Sequence, residues 1–133
     1  MFHSVKRPAI NVAPYASSEW HEAASMQGVR YEIVKVSLAR RAEITRRVRS
    51  LLAELEYHEA GEGVDDRLAA AEVASRVDRV YVEWGLLNVA GLEVDGEPCG
   101  VAVLVERGPE RLCREIAAQL RRQCRLSEEE RKN

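Results

Sequence analysis

Apolar positions recur along this chain in three runs of helical period, separated by stretches in which the period is lost. The first run is Ile44, Val48, Leu51, Leu52 and Leu55, at i, i+4, i+7, i+8 and i+11, which is one stripe along an amphipathic helix. Ser37 stands ahead of it as a cap and Gly61-Glu62-Gly63 stops it beyond His58, so the spacing predicts a helix over about 38–58. Val73, Val77, Val80, Tyr81 and Trp84 repeat the same spacing and predict a second helix over about 65–84, capped by Asp65 or Asp66. Ala69, Ala70, Ala71 and Ala74 supply helix propensity there and permit close approach. Two such helices joined by a glycine-containing turn make an antiparallel hairpin in which each stripe covers the other. The third run, Leu112, Cys113, Ile116, Ala117, Leu120 and Cys124, predicts a helix over about 109–125. Gly108-Pro109 punctuates the chain before it, and proline is favoured at a first helical position.

The segments between these runs read differently. Residues 1–30 carry Pro8, Pro14, Ser17-Ser18 and Gly28 with no sustained period, and are expected to be an arm that orders on a neighbour. Within the arm, Glu19 to Gln27 admits a short helix, capped by Ser18, ended by Gly28 and anchored by Trp20. Tyr31, Ile33 and Val36 alternate imperfectly with polar residues, which favours a short extended segment. A turn or small β-hairpin is expected at 86–105, where Asp95-Gly96 is a turn signal. Val101–Val105 fits either the return strand of that hairpin or one turn of helix. Finally, Ser127-Glu128-Glu129-Glu130 reads as a capping box opening another helix. The expected architecture is mainly α: an arm at 1–30, a helical domain at 31–126 and a C-terminal tail at 127–133.

Composition bounds this picture. A chain of 133 residues suits one modest domain, and an apolar fraction of 46% excludes wholesale disorder. With aromatics at 5%, the core must be built from Val, Leu, Ile and Ala. No stretch approaches the roughly 18 apolar residues of a membrane span. The segment from Met1 to Pro14 is too short and broken for the core of a signal peptide. Cys99, Cys113 and Cys124 are odd in number and dispersed, and two of them on one helix, 11 residues apart, would lie roughly 16 Å from each other. They are expected to be reduced, buried thiols of a cytosolic protein.

A search for chemistry finds few starting points. His21-Glu22 and His58-Glu59 lack the second histidine of H-E-x-x-H, and no C-x-x-C, phosphate-cradling glycine loop or nucleophile elbow occurs. Glu54, Glu56 and Glu59 read as a solvated helix face. No enzyme, metal or cofactor is expected.

Charge is more informative. The formal balance of −2 rules out a globally basic nucleic-acid binder, yet 17 of the 20 basic residues are arginine and they are unevenly placed. Arg40, Arg41, Arg46, Arg47 and Arg49 crowd one half of the first helix against Glu43 alone. Glu54, Glu56, Glu59, Glu62, Asp65 and Asp66 follow without lysine or arginine between them. Such arginines could neutralise phosphates, but an equal acidic block adjoins them and no stacking aromatic is interleaved. Segregated charge of this kind favours pairing with another protein or with another copy of the chain, and the five arginines are the candidate partner-binding residues.

Residues 84–133 carry a recognisable succession: Trp84-Gly85-Leu86, Gly91-Leu92-Glu93-Val94-Asp95-Gly96, Gly108-Pro109-Glu110-Arg111-Leu112, Glu115-Ile116 and Leu126-Ser127-Glu128-Glu129-Glu130-Arg131-Lys132-Asn133. This succession resembles the small tail assembly chaperones of long-tailed bacteriophages and prophages. Tyr31 to Arg49, an extended segment leading into an arginine-rich helix, fits the same pattern. The resemblance implies a small, mainly helical, non-enzymatic protein of the bacterial host cytoplasm. Such a protein binds the tape measure protein and helps the tail tube protein polymerise around it, with a short and a frameshift-extended form. It also implies that Asp95-Gly96 and Gly108-Pro109 are structural turns. Two rival readings are a structural tail or connector component and a small regulatory nucleic-acid binder.

Overall fold

The computed structural model describes residues 11–132, with side chains as far as Arg125. The chain runs β1 (Ser18–Glu22), β2 (Arg30–Val34), α1 (Leu38–Glu59), α2 (Val64–Gly85), β3 (Leu86–Ala90), β4 (Glu93–Val94), β5 (Glu97–Pro98), α3 (Val101–Arg107) and α4 (Glu110–Lys132). The fold is mainly α, as the three apolar stripes require. α1 and α2 form the antiparallel hairpin, and α4 packs on α2. α2 is therefore covered from two directions, and it buries Val73, Val77, Tyr81, Val82 and Trp84. Facing it, α4 contributes Leu112, Ile116, Ala117 and Leu120, all with no exposed surface. Fully burying an aliphatic side chain of this size is worth roughly 1.5–3 kcal/mol, so this seam contributes strongly to cohesion.

Local chemistry explains most boundaries. Ser37 has extended backbone and its hydroxyl accepts the N–H of Arg40 at 3.2 Å, capping α1 as expected. α2 departs from expectation at its start. Gly63 occupies the cap without a side-chain bond, while Asp65 and Asp66 sit in the first turn, where their charge complements the helix dipole. The Asp95-Gly96 signal is confirmed: Val94 pairs with Glu97, leaving those two residues as the loop, with φ of 51° and 83°. Both angles are positive, as a type I′ hairpin turn demands.

Two expectations are corrected, at Glu19–Gln27 and at Ser127–Glu130, and one left open, at Val101–Val105, is resolved. Ser18–Glu22 is a strand rather than the start of a helix at Glu19–Gln27. It pairs antiparallel with β2 in register Trp20 to Glu32, and Gly28 lies in the loop joining the two strands. The described part of the expected arm is thus joined to the body of the fold. Val101–Val105 belongs to helix α3 and not to a return strand, because the β-hairpin is complete at Pro98 and Leu104 is wanted on the buried side. Ser127–Glu130 opens no new helix, since α4 continues through it to Lys132.

β3 follows α2 without a loop and pairs with β2, giving the antiparallel order β1-β2-β3. Its register shifts between Glu32 and Ile33, which face Asn88 and Leu86 respectively, so Leu87 is an extra residue pushed outward. On the solvent side Glu32 accepts from the Ser18 hydroxyl at 2.6 Å and from Asn88 Nδ2 at 2.7 Å, lacing the three strands together.

The loop between β1 and β2 is fastened to α4 by one carboxylate. Glu115 accepts the backbone N–H groups of Ala24 and Ser25, each at 2.8 Å, and the Tyr31 hydroxyl at 3.5 Å. Burial alone would raise the Glu115 pKa. The two backbone N–H groups, the Tyr31 hydroxyl and the nearby Ser25 hydroxyl dipole outweigh it and hold the carboxyl below its ordinary value. The reverse holds for Tyr31, which burial and then the adjacent Glu115 charge push up to about 12.

Two tests follow from this framework. Gly91 and Gly96 share a φ of 83°, but a Cβ at Gly91 would run into the Gly28 carbonyl oxygen whereas one at Gly96 meets nothing within 4 Å. Gly96→Ala should therefore cost about 1 kcal/mol from backbone strain alone, and Gly91→Ala at least about 2 kcal/mol, read from urea midpoints. Glu115→Gln should cost about 1–3 kcal/mol at neutral pH, as expected for bonds to a charged acceptor. Because the folded pKa lies below the unfolded one, this contribution is complete above the ordinary glutamate range and fades as pH falls through the folded value. Urea midpoints between about pH 3 and about pH 6 should fall more steeply for the wild type than for Glu115→Gln.

Candidate functional site

α1 and α4 both lean on α2 without closing on each other, and a groove of about 490 Å³ remains between them. Its floor is apolar: Ile44, Val48 and Leu52 from the α1 stripe, and Tyr81 from α2. Its edges are basic. Arg41 and Arg49 rise from α1, Arg121 and Arg125 from α4, and among the described residues Glu56 is the one acid lining it.

The arginines differ in what holds them. Arg41 donates through Nη1 to the Cys124 carbonyl at 2.9 Å, bridging α1 to α4, while its Nη2 is buried without a hydrogen-bond partner among the described residues. Arg121 lies over the Tyr81 ring, 5.9 Å from the centroid, a cation–π arrangement that keeps the guanidinium at the groove wall. Arg121 also acts on Asp78 beneath it. Burial raises the Asp78 carboxyl above its ordinary pKa, against the opposing pull of Arg121 and Arg114. Among the described residues, none of Arg41, Arg49, Arg121 or Arg125 forms an ion pair within 4 Å.

A second depression, of about 370 Å³ between α2, α3 and α4, has the opposite character. Its cations already have acids: Arg79 reaches Glu106 at 3.1 Å and Glu83 at 3.5 Å, and Arg114 pairs with Glu110. Charge there is balanced within the chain. In the α1–α4 groove it is not balanced among the described residues, and that makes the groove the candidate site.

Of the five arginines singled out in the sequence, the structure brings Arg41 and Arg49 to the groove. Arg40, Arg46 and Arg47 lie outside it, Arg47 3.9 Å from Glu43 on its own helix. Arg121 and Arg125 are the partners that sequence reasoning missed. Their spacing of i and i+4 on α4 was a readable signal for one shared face, but nothing local told which helix that face meets. Asp95 and Gly96 form the β4–β5 turn, and Arg107 grips this hairpin with a fork, 2.7 Å to Asp95 and 2.6 Å to Glu97. Gly108 caps the end of α3. Pro109 stands one residue ahead of α4, where its carbonyl accepts the N–H of Cys113 at 3.3 Å.

The histidines have structural neighbours. His21 stacks on Tyr31 and meets Glu19 at 3.0 Å, and His58 meets Asp66 at 3.1 Å across the closed end of the helical hairpin. Among the described residues, no group of three His, Cys, Asp or Glu is gathered that could hold a metal ion. No helix of the described residues is long and apolar enough to cross a membrane. Cys99 and Cys113 are thiols, and burial raises the pKa of both. No family model, curated protein or solved structure matches the chain.

The groove arginines should separate into structural and available groups. Arg41→Met removes the bridge to the Cys124 carbonyl and should cost about 1–2 kcal/mol in urea unfolding, whereas Arg49→Ala should change stability by less than about 0.5 kcal/mol.

Proposed function

We propose that this protein is a non-enzymatic binding protein of phage or prophage tail assembly, acting on the tape measure protein in the host cytoplasm. The observation that carries the reading is the groove itself: an apolar floor edged by four arginines that have no ion-pair partner among the described residues. An amphipathic segment placed there would bury its apolar side chains on Leu52 and Ala53 and set carboxylates against the guanidinium forks. Half-buried Leu52 and exposed Ala53 beside the arginines favour a protein client over nucleic acid, since phosphates would leave them uncovered. The succession of residues from Trp84 to Asn133 that resembles tail assembly chaperones supplies the class of client, and the tail tube protein is a second partner on the same grounds.

Co-expression with a tape measure protein tests this. The expected outcome is a larger soluble fraction of that client and a complex that co-elutes with the chain. Arg49→Glu combined with Arg125→Glu should abolish both while leaving the fold intact by circular dichroism. Unchanged client solubility together with the absence of a complex would sink the proposal.

A further inference from the structure

The closed end of the α1–α2 hairpin has the complementary chemistry to the groove. Glu54, Glu59, Glu62 and Asp65 are all exposed there, opposed by Arg67, while Asp66 is turned inward to His58. Three large apolar side chains are exposed at the same end: Tyr57 at 74%, Val64 at 60% and Leu68 at 66%. Acidic and apolar groups thus stand together on a blunt projection, and basic and apolar groups stand together in a groove elsewhere on the same molecule. Tyr57, Val64 and Leu68 are not among the residues that line the groove of their own chain.

We infer that the closed end of the hairpin in one copy seats in the α1–α4 groove of another. Glu59, Glu62 and Asp65 then face Arg49, Arg121 and Arg125, and the exposed apolar trio packs on Leu52 and Ala53 of the groove. Each copy carries one projection and one groove, so the contact joins unlike surfaces. The inference stands on the distribution of side chains alone and does not require that the client be a tape measure protein.

Sedimentation and light scattering on the full chain decide the matter. At about 20 mM salt the average mass should rise above the 15.0 kDa of one chain as concentration increases, and it should return to that value at about 500 mM salt, where charges are screened within a few ångströms. A groove variant, Arg49→Glu with Arg125→Glu, and a tip variant, Glu59→Lys with Glu62→Lys, alter exposed residues and should each remain monomeric at low salt with unchanged circular dichroism. Mixed together, they retain a wild-type tip only on the groove variant and a wild-type groove only on the tip variant. They should therefore regain association, the wild-type tip of one seating in the wild-type groove of the other and the reversed, basic tip facing the reversed, acidic groove. A wild-type protein that stays monomeric at low salt overturns the inference. So does self-association of either variant alone, or a mixture that forms no complex. Loss of self-association would leave the client test above untouched, since that test reads binding by single chains.

Discussion

The whole arrangement depends on how closely α4 can lie against the end of α2. A Cβ at Gly85 would sit 2.7 Å from a Leu120 methyl carbon, so the absence of a side chain at Gly85 is what lets the two helices approach. Leu120 fills that space completely buried, and Leu112 and Ile116 extend the same seam along α4. Because α2 passes directly from Gly85 into β3, fixing this point also fixes where the sheet begins. The separation of α1 from α4, and hence the groove, is a consequence: both lean on α2, and α2 is held at a spacing set by one glycine and one leucine.

The groove combines two interactions that weaken each other when handled separately. Exposed arginines alone give screened, salt-sensitive contacts worth little, while an apolar floor alone discriminates poorly between partners. Placed side by side, the floor removes water from the contact and the arginine forks then act at shorter effective range. Arg41 and Arg121 are already oriented by the Cys124 carbonyl and the Tyr81 ring, so less side-chain freedom is left to be lost on binding.

The hairpin, the third helix, the Ser37 cap and the Asp95-Gly96 turn were legible because each is written in local spacing. β1 was not. The residues it turns inward, Glu19 and His21, are polar, satisfied by Gln123 at 2.5 Å and by stacking on Tyr31, so no apolar alternation marks the strand. α3 was ambiguous for a different reason: Val101, Val103 and Val105 favour strands by propensity, and only burial of Leu104 against neighbouring elements selects the helix. The groove was half legible. Arg41 and Arg49 stood out as a cluster, but their counterparts Arg121 and Arg125 lie on the last helix, and only the shared packing on α2 brings the two pairs together.

The sheet has a second property that follows from its connectivity. β2 and β3 are neighbours in space, yet the entire helical hairpin is inserted between them. Their registry depends on the chain travelling out along α1 and returning along α2 by the same distance, and each helix has 22 residues. Lengthening one helix by a turn, a rise of about 5.4 Å, would disturb that registry, whereas lengthening both would move only the closed end. The hairpin is therefore an arm whose reach can change across related sequences only through paired insertions, one in each helix, on a base that stays where it is.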